Sequence, residues 1–335
     1  MNNVRKIWES CNIAENFPQF ASSVLFNEPM SLHTTFRTGG PVDLFAEPKT
    51  RAELEAVLSV FLSERVPVWI TGGGSNLVVS DKGLRGVCVS IAGFQSVTVN
   101  KEKTRVTAGA GMLVDDLVSW CAEHSFSGFE QFAGLPGTVG GAVYMNARCY
   151  ERSISNIFFE ADVLYFRNGR YTVETVGKNT GGWGYKKSPF QAINNTSGSK
   201  RGIVETGAIE IGHLAVILSA SFCVLPGDPE AIRAVMHSCV SDREAKGHFR
   251  FPSAGSMFKN NRAYGKPTGK IIDEVGLRGA SVGDAQVAPW HGNLVINRGN
   301  ASSADIRALV EQVQEKVFKK TGFILEPEVV FVGEK

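Results

Sequence analysis

Two glycine-rich runs carry the chemistry most legible in this chain. One reads Gly134-Leu-Pro-Gly-Thr-Val-Gly-Gly-Ala-Val-Tyr-Met-Asn146. It packs Gly134, Gly137, Gly140 and Gly141 around Pro136 and then turns into an apolar, helix-like stretch. The other is Thr71-Gly72-Gly73-Gly74-Ser75-Asn76, which follows the strand-like Val66–Ile70. A main chain that presses its N–H groups against a phosphate needs residues without Cβ at the contact points. A helix starting there adds free N–H groups and the positive end of its dipole. Two such loops after strands suit the two phosphates of one dinucleotide. Neither is a GxGxxG run with an acid about 20 residues on, which disfavours an ordinary Rossmann site. The competing reading is two tight turns whose glycines serve sterics alone. A third segment, Phe251-Pro-Ser-Ala-Gly-Ser-Met-Phe-Lys-Asn260, brings together a hydroxyl (Ser256), a cation (Lys259) and an amide (Asn260). Taken bare, it also reads as a turn into a strand.

The elements that must position these groups follow from periodicity. Thr50 and Glu53 form a capping box, and Leu54, Val57, Leu58, Phe61 and Leu62 follow at helical spacing. Val42–Ala46 before this helix and Val66–Ile70 after it read as strands, giving a β-α-β opening that ends in the first glycine loop and Leu77–Val79. Short strands are expected at Gly86–Ile91, Val97–Asn100 and Arg105–Ala108, and a helix through Leu113, Leu117, Val118 and Cys121. Strands follow at Ala161–Phe166, Tyr171–Val176 and Val216–Leu225. Residues 191–201 are polar and rich in small side chains, the mark of an exposed insertion; the sequon Asn194-Asn-Thr196 within them is read as chance. Pro226–Glu230 marks a boundary, with Asp228 as N-cap and Pro229 at the first helical position. That helix is expected to bury Ile232, Val235, Met236, Cys239 and Val240. A last helix starts near Ser302 or Ser303 and carries Ile306, Leu309, Val310, Val313 and Val317; Gly322 ends it and Phe323–Leu325 begins a strand. Helices alternating with short strands point to α+β domains rather than one doubly wound sheet.

Bulk properties bound the function. A chain of 335 residues is long enough for two or three domains, and its net charge of +2 makes no global case for nucleic-acid binding. No apolar run approaches the about 20 residues that span a bilayer, and Met1–Ser10 lacks the apolar core of a signal peptide. The six cysteines are scattered with no Cys-x-x-Cys pair, so neither a metal site nor a disulfide framework is expected. A cytoplasmic chain with reduced thiols, acting as a monomer and without nucleic-acid or membrane partners, is the expectation.

An ordered set of motifs runs over nearly the whole chain: Thr34-Thr-Phe-Arg-Thr-Gly-Gly-Pro41, Gly72-Gly-Gly-Ser-Asn-Leu77, the 134–146 run, Gly184-Tyr-Lys-Lys-Ser188, Pro252–Asn260, Gly283-Asp-Ala-Gln-Val287 with His291-Gly-Asn293, and Leu325-Glu-Pro-Glu-Val329. In this set the chain resembles the UDP-N-acetylenolpyruvoylglucosamine reductases, flavoenzymes of peptidoglycan precursor synthesis, and within them the type without a tyrosine-bearing lid loop. The resemblance implies an α+β chain, a split FAD-binding fold of the vanillyl-alcohol-oxidase (PCMH) type followed by an α/β substrate-binding domain. The implied divisions are 1–95 and 96–225 for the two FAD-binding subdomains and 226–335 for the substrate domain, whose last strand returns to the active site.

The implied reaction uses NADPH to reduce FAD, which passes hydride to the terminal alkene carbon of a UDP-sugar enolpyruvyl ether. The adjacent carbon then carries negative charge shared with a carboxylate, so the site needs cations or donors around that carboxylate and an acid for the carbon. By motif, Ser256 is the proton donor and Glu328, rather than its neighbour Glu326, is the catalytic glutamate. Lys186 stands where the family normally has arginine, keeping the charge but losing the planar fork. FAD contacts fall on Arg37, Thr38, Gly72, Gly73, Gly74, Ser75, Asn76, Gly134, Pro136, Gly137, Thr138, Gly140, Gly141 and Ala142. Substrate contacts fall on Tyr185, Lys259, Asn260, His291 and Asn293. Arg148 and Cys149 replace small residues of the family pattern, and Asn261 replaces a proline. Another flavin oxidoreductase of the same fold, or a flavin-binding protein without turnover, remains the alternative.

Overall fold

The computed structural model describes residues 2–167, 169–191, 199–200, 203–206 and 214–333. Most of the polar stretch 191–201, with its sequon, lies outside the described residues.

Three of the sheets follow one another along the chain. The first joins Leu25–Pro29, Pro41–Ala46, Leu84–Ser90 and Val68–Thr71, in that spatial order. Its last three strands are parallel. The expected β-α-β opening is present, but Leu84–Ser90 is inserted between its two strands. The connecting helix Arg51–Ser63 starts on the expected capping box: the Thr50 hydroxyl accepts from the Glu53 N–H and the Glu53 carboxylate accepts from the Thr50 N–H. It buries Leu54, Val57, Leu58, Phe61 and Leu62, the set its spacing predicts.

The second sheet is antiparallel and five-stranded, in the order Arg170–Gly177, Phe158–Arg167, Leu214–Cys223, Arg105–Gly109, Val97–Val99. It shares one large apolar core with the first sheet, built around Leu44, Leu58, Phe61, Phe129, Phe158 and Phe222. The N-terminal helix Asn2–Ser10 adds Val4 and Trp8 to this core, with the Trp8 ring stacked on Phe61. The helix Pro229–Ala245 is capped by Asp228 as expected. It buries only Ile232 and Cys239, while Val235 is exposed and Met236 and Val240 are half-buried. The helix packs on Val114–Glu123 and the short turn Glu130–Phe132, with Met236 and Val240 against the core and the Tyr150 hydroxyl donating to the Cys239 carbonyl, while Val235 lies outside these contacts.

The third sheet, Ser253–Ser256, Leu294–Asn297, Ala285–Val287 and Ser281–Val282, is antiparallel. Helices Thr268–Val275 and Ser303–Thr321 close its core through Ile271, Ile272, Ile306, Leu309, Val310, Val313 and Val317. The last helix begins on a Ser302–Asp305 capping box and ends at Gly322 in the left-handed conformation.

The strand expected at Phe323–Leu325 does not form. The carbonyls of Ile324 and Leu325 accept from the Tyr264 hydroxyl and the Gln314 amide instead, each at 2.8 Å. The chain becomes a strand only at Val330–Val332, which pairs in parallel with Leu77–Val79 just past the first glycine loop. Phe36 and Val78 enter the core of the third sheet together with Phe331. Residues 326–332 therefore tie the third sheet to the first glycine loop.

Phe331 is buried in that seam with the Arg307 guanidinium over its ring. Phe331→Ala is expected to lower stability by about 3–5 kcal/mol, the range for truncating a buried phenylalanine. Urea unfolding measures it, and a loss below about 1 kcal/mol would show that the seam is not anchored there.

Candidate active site

The two glycine loops nest against each other. A Cβ on Gly72 would lie 2.2 Å from the Thr138 hydroxyl oxygen, and one on Gly137 would lie 2.4 Å from the Ser75 hydroxyl oxygen. Gly74 and Gly137 also have positive φ, +61° and +102°. The glycines thus let two main chains meet at a distance no side chain would allow. Nesting leaves donors free: among the described residues, the N–H groups of Gly73, Gly74, Ser75, Asn76 and Gly137 have no protein acceptor. Main-chain amides left open in a concave loop are an anion-binding arrangement, and this set fits the pyrophosphate of FAD. The steric reading of these glycines is met, and the open amides are what the phosphate-binding reading requires.

Both loops border a single cavity of about 1510 Å³. A typical small-molecule pocket is about 300–1,000 Å³, so this one has room for a dinucleotide and a second ligand. Pro136, Gly140, Gly141 and Ala142 also border it. Three expected cofactor contacts do not. The Thr34 hydroxyl donates to the Thr38 carbonyl and accepts from its N–H, closing a tight turn. Thr38 is buried in that turn and Arg37 points outward at φ +56°. The motif's cavity-lining member is Thr35, whose hydroxyl donates to the Ser253 carbonyl at 2.8 Å. Gly134 instead packs behind the cavity wall, its Cβ position 3.1 Å from Arg243 Cδ and 3.2 Å from Phe249 Cζ.

The carboxylates arrive by main-chain clamping. Residues 326–330 lie between the first glycine loop and the strand Ser253–Ser256. The Asn76 amide donates to the Glu328 carbonyl and the Val330 N–H donates to the Asn76 carbonyl. On the other side, the Glu328 N–H donates to Met257 and the Lys259 N–H donates to Glu326. Both carboxylates reach the cavity despite Pro327 between them. Glu328 pairs with Lys186 at 2.5 Å, with both side chains almost 90 % covered (13 % and 12 % exposed). Glu326 pairs with Lys259 at 2.5 Å but is 54 % exposed.

Lys186 sits in a tight turn, Gly184–Lys187, closed by two main-chain hydrogen bonds. Its φ of +56° is a conformation that favours glycine or asparagine. The surroundings hold it there: the Asn146 amide donates to the Gly184 carbonyl, the Gln191 amide to the Lys186 carbonyl, and the Ser188 hydroxyl to Tyr144. Lys187 is exposed. Tyr185 also borders the cavity, its hydroxyl accepting from the Asn260 N–H at 3.2 Å.

Ser256 owes its place to a bulge. Ser253 pairs with Ile296 and Ser256 with Leu294, so the Ser256 strand carries one residue more than its partner, with Gly255 at φ +71°. Bulges re-aim side chains next to active sites, and Ser256 lines the cavity. Asn293 does not border this cavity. It is buried, and its amide both accepts from the Phe258 N–H and donates to the Phe258 carbonyl. It holds the Ser256 strand in place. The Asn260 side chain likewise accepts from Thr268 N–H at the start of the helix Thr268–Val275. His291 lines the cavity beside His248, ring centres 5.7 Å apart.

Sequence reasoning did not reach Arg243, His248 and Phe249, which line the same cavity. No motif marks them. Of the two unusual residues, Arg148 pairs outward with Glu151, while the buried Cys149 thiol accepts from the Arg243 guanidinium at 2.8 Å. Burial raises the Cys149 pKa, against the opposing pull of Arg243 and Lys186.

The FAD-binding domain model matches residues 42–173. With the split two-sheet architecture and the open amides of the glycine loops, this makes the chain a flavin-dependent oxidoreductase of the split FAD-binding fold. The model of the UDP-N-acetylenolpyruvoylglucosamine reductase C-terminal domain matches residues 247–332. The reductase of that name from Treponema denticola is 42 % identical over 334 residues, covering 96 % of this chain and 98 % of the relative. The one from Treponema pallidum is 41 % identical over 343 residues, covering 92 % and 93 %. The crystal structure of the Thermus caldophilus reductase aligns with a TM-score of 0.70 at 28 % identity, over 93 % of this chain and 98 % of that one. The chain belongs to the UDP-N-acetylenolpyruvoylglucosamine reductase family, with FAD as its prosthetic group and NADPH as its reductant.

Burial, with Arg243, His291 and Lys246 nearby, pulls His248 from 6.5 down to about 4. The folded protein holds this ring neutral, so its contribution is present above the ordinary value of 6.5 and is lost as pH falls toward about 4. The melting temperature is expected to drop over that window, and His248→Gln to flatten the drop. Superimposable melting-temperature profiles for the two proteins would remove His248 as the cause.

Proposed function

We propose that this cleft reduces the enolpyruvyl ether of UDP-N-acetylglucosamine-enolpyruvate to UDP-N-acetylmuramate, with Ser256, Glu328 and Lys186 as its working groups. The observation that carries the reading is that Ser256 and the Lys186–Glu328 pair open onto the same cavity as both glycine loops. FAD, held by the open amides of Gly73–Asn76 and Gly137, supplies hydride transfer between NADPH and the alkene. The protein's own task is charge and proton management. An ammonium has three donors, so Lys186 can keep Glu328 and still receive the substrate carboxylate. Its covered position raises the value of that charge, because electrostatic attraction strengthens where water is excluded.

Ser256 delivers the proton to the substrate carbon. A serine hydroxyl is a weak acid, and a developing negative charge beside it, held by Lys186, is what makes the transfer favourable. Glu328 orients the Lys186 ammonium and keeps the pair compact before substrate arrives. Tyr185, Lys259, Asn260 and His291 form the substrate-facing rim, and Asn293 keeps the Ser256 strand in place. The chain works as a cytoplasmic monomer on a small-molecule UDP-sugar. Among the described residues no helix is long and apolar enough to cross a membrane. Residues 1–95 and 96–225 act as the flavin-binding halves and 226–335 as the substrate half.

Anaerobic reduction by NADPH followed by reoxidation with the enolpyruvyl substrate, read through flavin absorbance, tests the reading directly. Ser256→Ala should be reduced at nearly the parental rate and reoxidised about 10²–10⁴-fold more slowly. A loss under tenfold would dismiss the proton-donor role, and equal losses in both halves would point to damaged flavin binding.

Lys186→Ala should depress reoxidation strongly, and Lys186→Arg should retain it or raise it. Lys187→Ala is the control and should behave like the parent. Parental turnover by Lys186→Ala would end the assignment; failure of Lys187→Ala alone would move it by one residue.

A further inference from the structure

We propose that Arg243 is a second ligand-binding cation of the cleft, receiving an oxyanion of the nucleotide ligand through its forked guanidinium. Most half-buried cations bordering the cavity already have a carboxylate. Lys186 pairs with Glu328, Lys259 with Glu326, Arg148 with Glu151 and Lys266 with Glu274. Lys246 on the rim pairs with Asp242. Lys187 and Arg262 have no such partner but are exposed to solvent. Arg243 is half-buried, borders the cavity, and has no carboxylate partner among the described residues.

Its hydrogen bonding is also incomplete. One terminal nitrogen donates to the Cys149 thiol, a weak acceptor, at 2.8 Å. Its Nε is buried with no acceptor. Leaving a charged donor buried and unsatisfied is costly, so the protein itself does not satisfy this guanidinium, and an oxyanion in the cavity would add a charge-assisted bond to a terminal nitrogen. The Gly134 main chain lies close against the Arg243 stem, a Cβ there falling 3.1 Å from Arg243 Cδ. Arg243 and Lys186 both border the same cavity. Arg243 thus returns a planar fork to a cleft whose motif position carries lysine.

The inference rests on the cleft being the nucleotide site. The oxyanion is a carboxylate or a phosphate, and three ligands bring one: the UDP-sugar, NADPH and FAD. The test purifies the parent, Arg243→Gln and Arg243→Lys and measures FAD content and melting temperature. It then titrates each oxidised enzyme with UDP-N-acetylglucosamine, UDP-N-acetylmuramate and NADP⁺, followed by flavin absorbance. Arg243→Gln should weaken at least one ligand tenfold or more, and Arg243→Lys should fall between it and the parent. Loss confined to UDP-N-acetylmuramate identifies the carboxylate; loss shared with UDP-N-acetylglucosamine, the UDP diphosphate. Loss with NADP⁺ alone identifies the coenzyme, and loss of FAD content with an unchanged apoprotein melt identifies the flavin phosphates. Unchanged FAD content and affinities in Arg243→Gln would overturn the proposal, as would a lysine variant no better than glutamine, the mark of a packing role. If Arg243→Gln fails to fold, parental affinity for every ligand in Arg243→Lys overturns the fork. A parent that binds none of the UDP or NADP⁺ probes would instead refute the nucleotide reading of the cleft.

Discussion

The main-chain pairing of residues 326–332 with the first glycine loop is the constraint on which the site depends. The Asn76 side chain and main chain grip Glu328 and Val330, and Val330–Val332 extends the grip as a parallel strand beside Leu77–Val79. The opposite edge of the same segment is bonded to Met257 and Lys259. One extended stretch therefore fixes the first glycine loop, the Ser256 strand and the Glu328 carboxylate relative to each other. Main-chain bonds suit this task because they set distance without depending on side-chain rotamers. Phe331, buried beneath, supplies the apolar burial that holds the strand in register.

Electrostatics then distribute the labour. The covered Lys186–Glu328 pair and the more open Lys259–Glu326 pair alternate along the same clamped segment. Exposed ion pairs contribute little to stability, and covered ones pay heavily in desolvation, so neither is explained as a fold-stabilising device. A lysine held at φ +56° by three surrounding hydrogen bonds argues the same way. Backbone strain retained by neighbouring structure is characteristic of functional positions.

The glycine loops show that a steric and a chemical role need not compete. Loops that nest closely enough to exclude Cβ atoms also leave N–H groups without protein acceptors at the border of the cavity. Cys149 and Arg243 form another close contact at the cavity, a thiol accepting from a guanidinium.

The sequence by itself determined the local pieces. The Thr50 and Ser302 capping boxes, the Asp228 N-cap, the Gly322 stop and the buried stripe of Arg51–Ser63 are all set by residues within a few positions of one another. The motifs, taken as an ordered set, also named the glycine loops, Ser256, Lys186 and Glu328. Only the tertiary structure decided that Thr35 rather than Arg37 and Thr38 faces the cleft, because a hydroxyl-closed turn rotates the motif. It likewise decided that Asn293 braces a strand, that Val235 stays outside, and that the last strand forms at Val330 rather than Phe323. Arg243 carried no sequence signal, since its role depends on which carboxylates lie within reach across the fold. Periodicity and capping are written in neighbours along the chain; orientation, ion pairing and strand partners are set by residues hundreds of positions away.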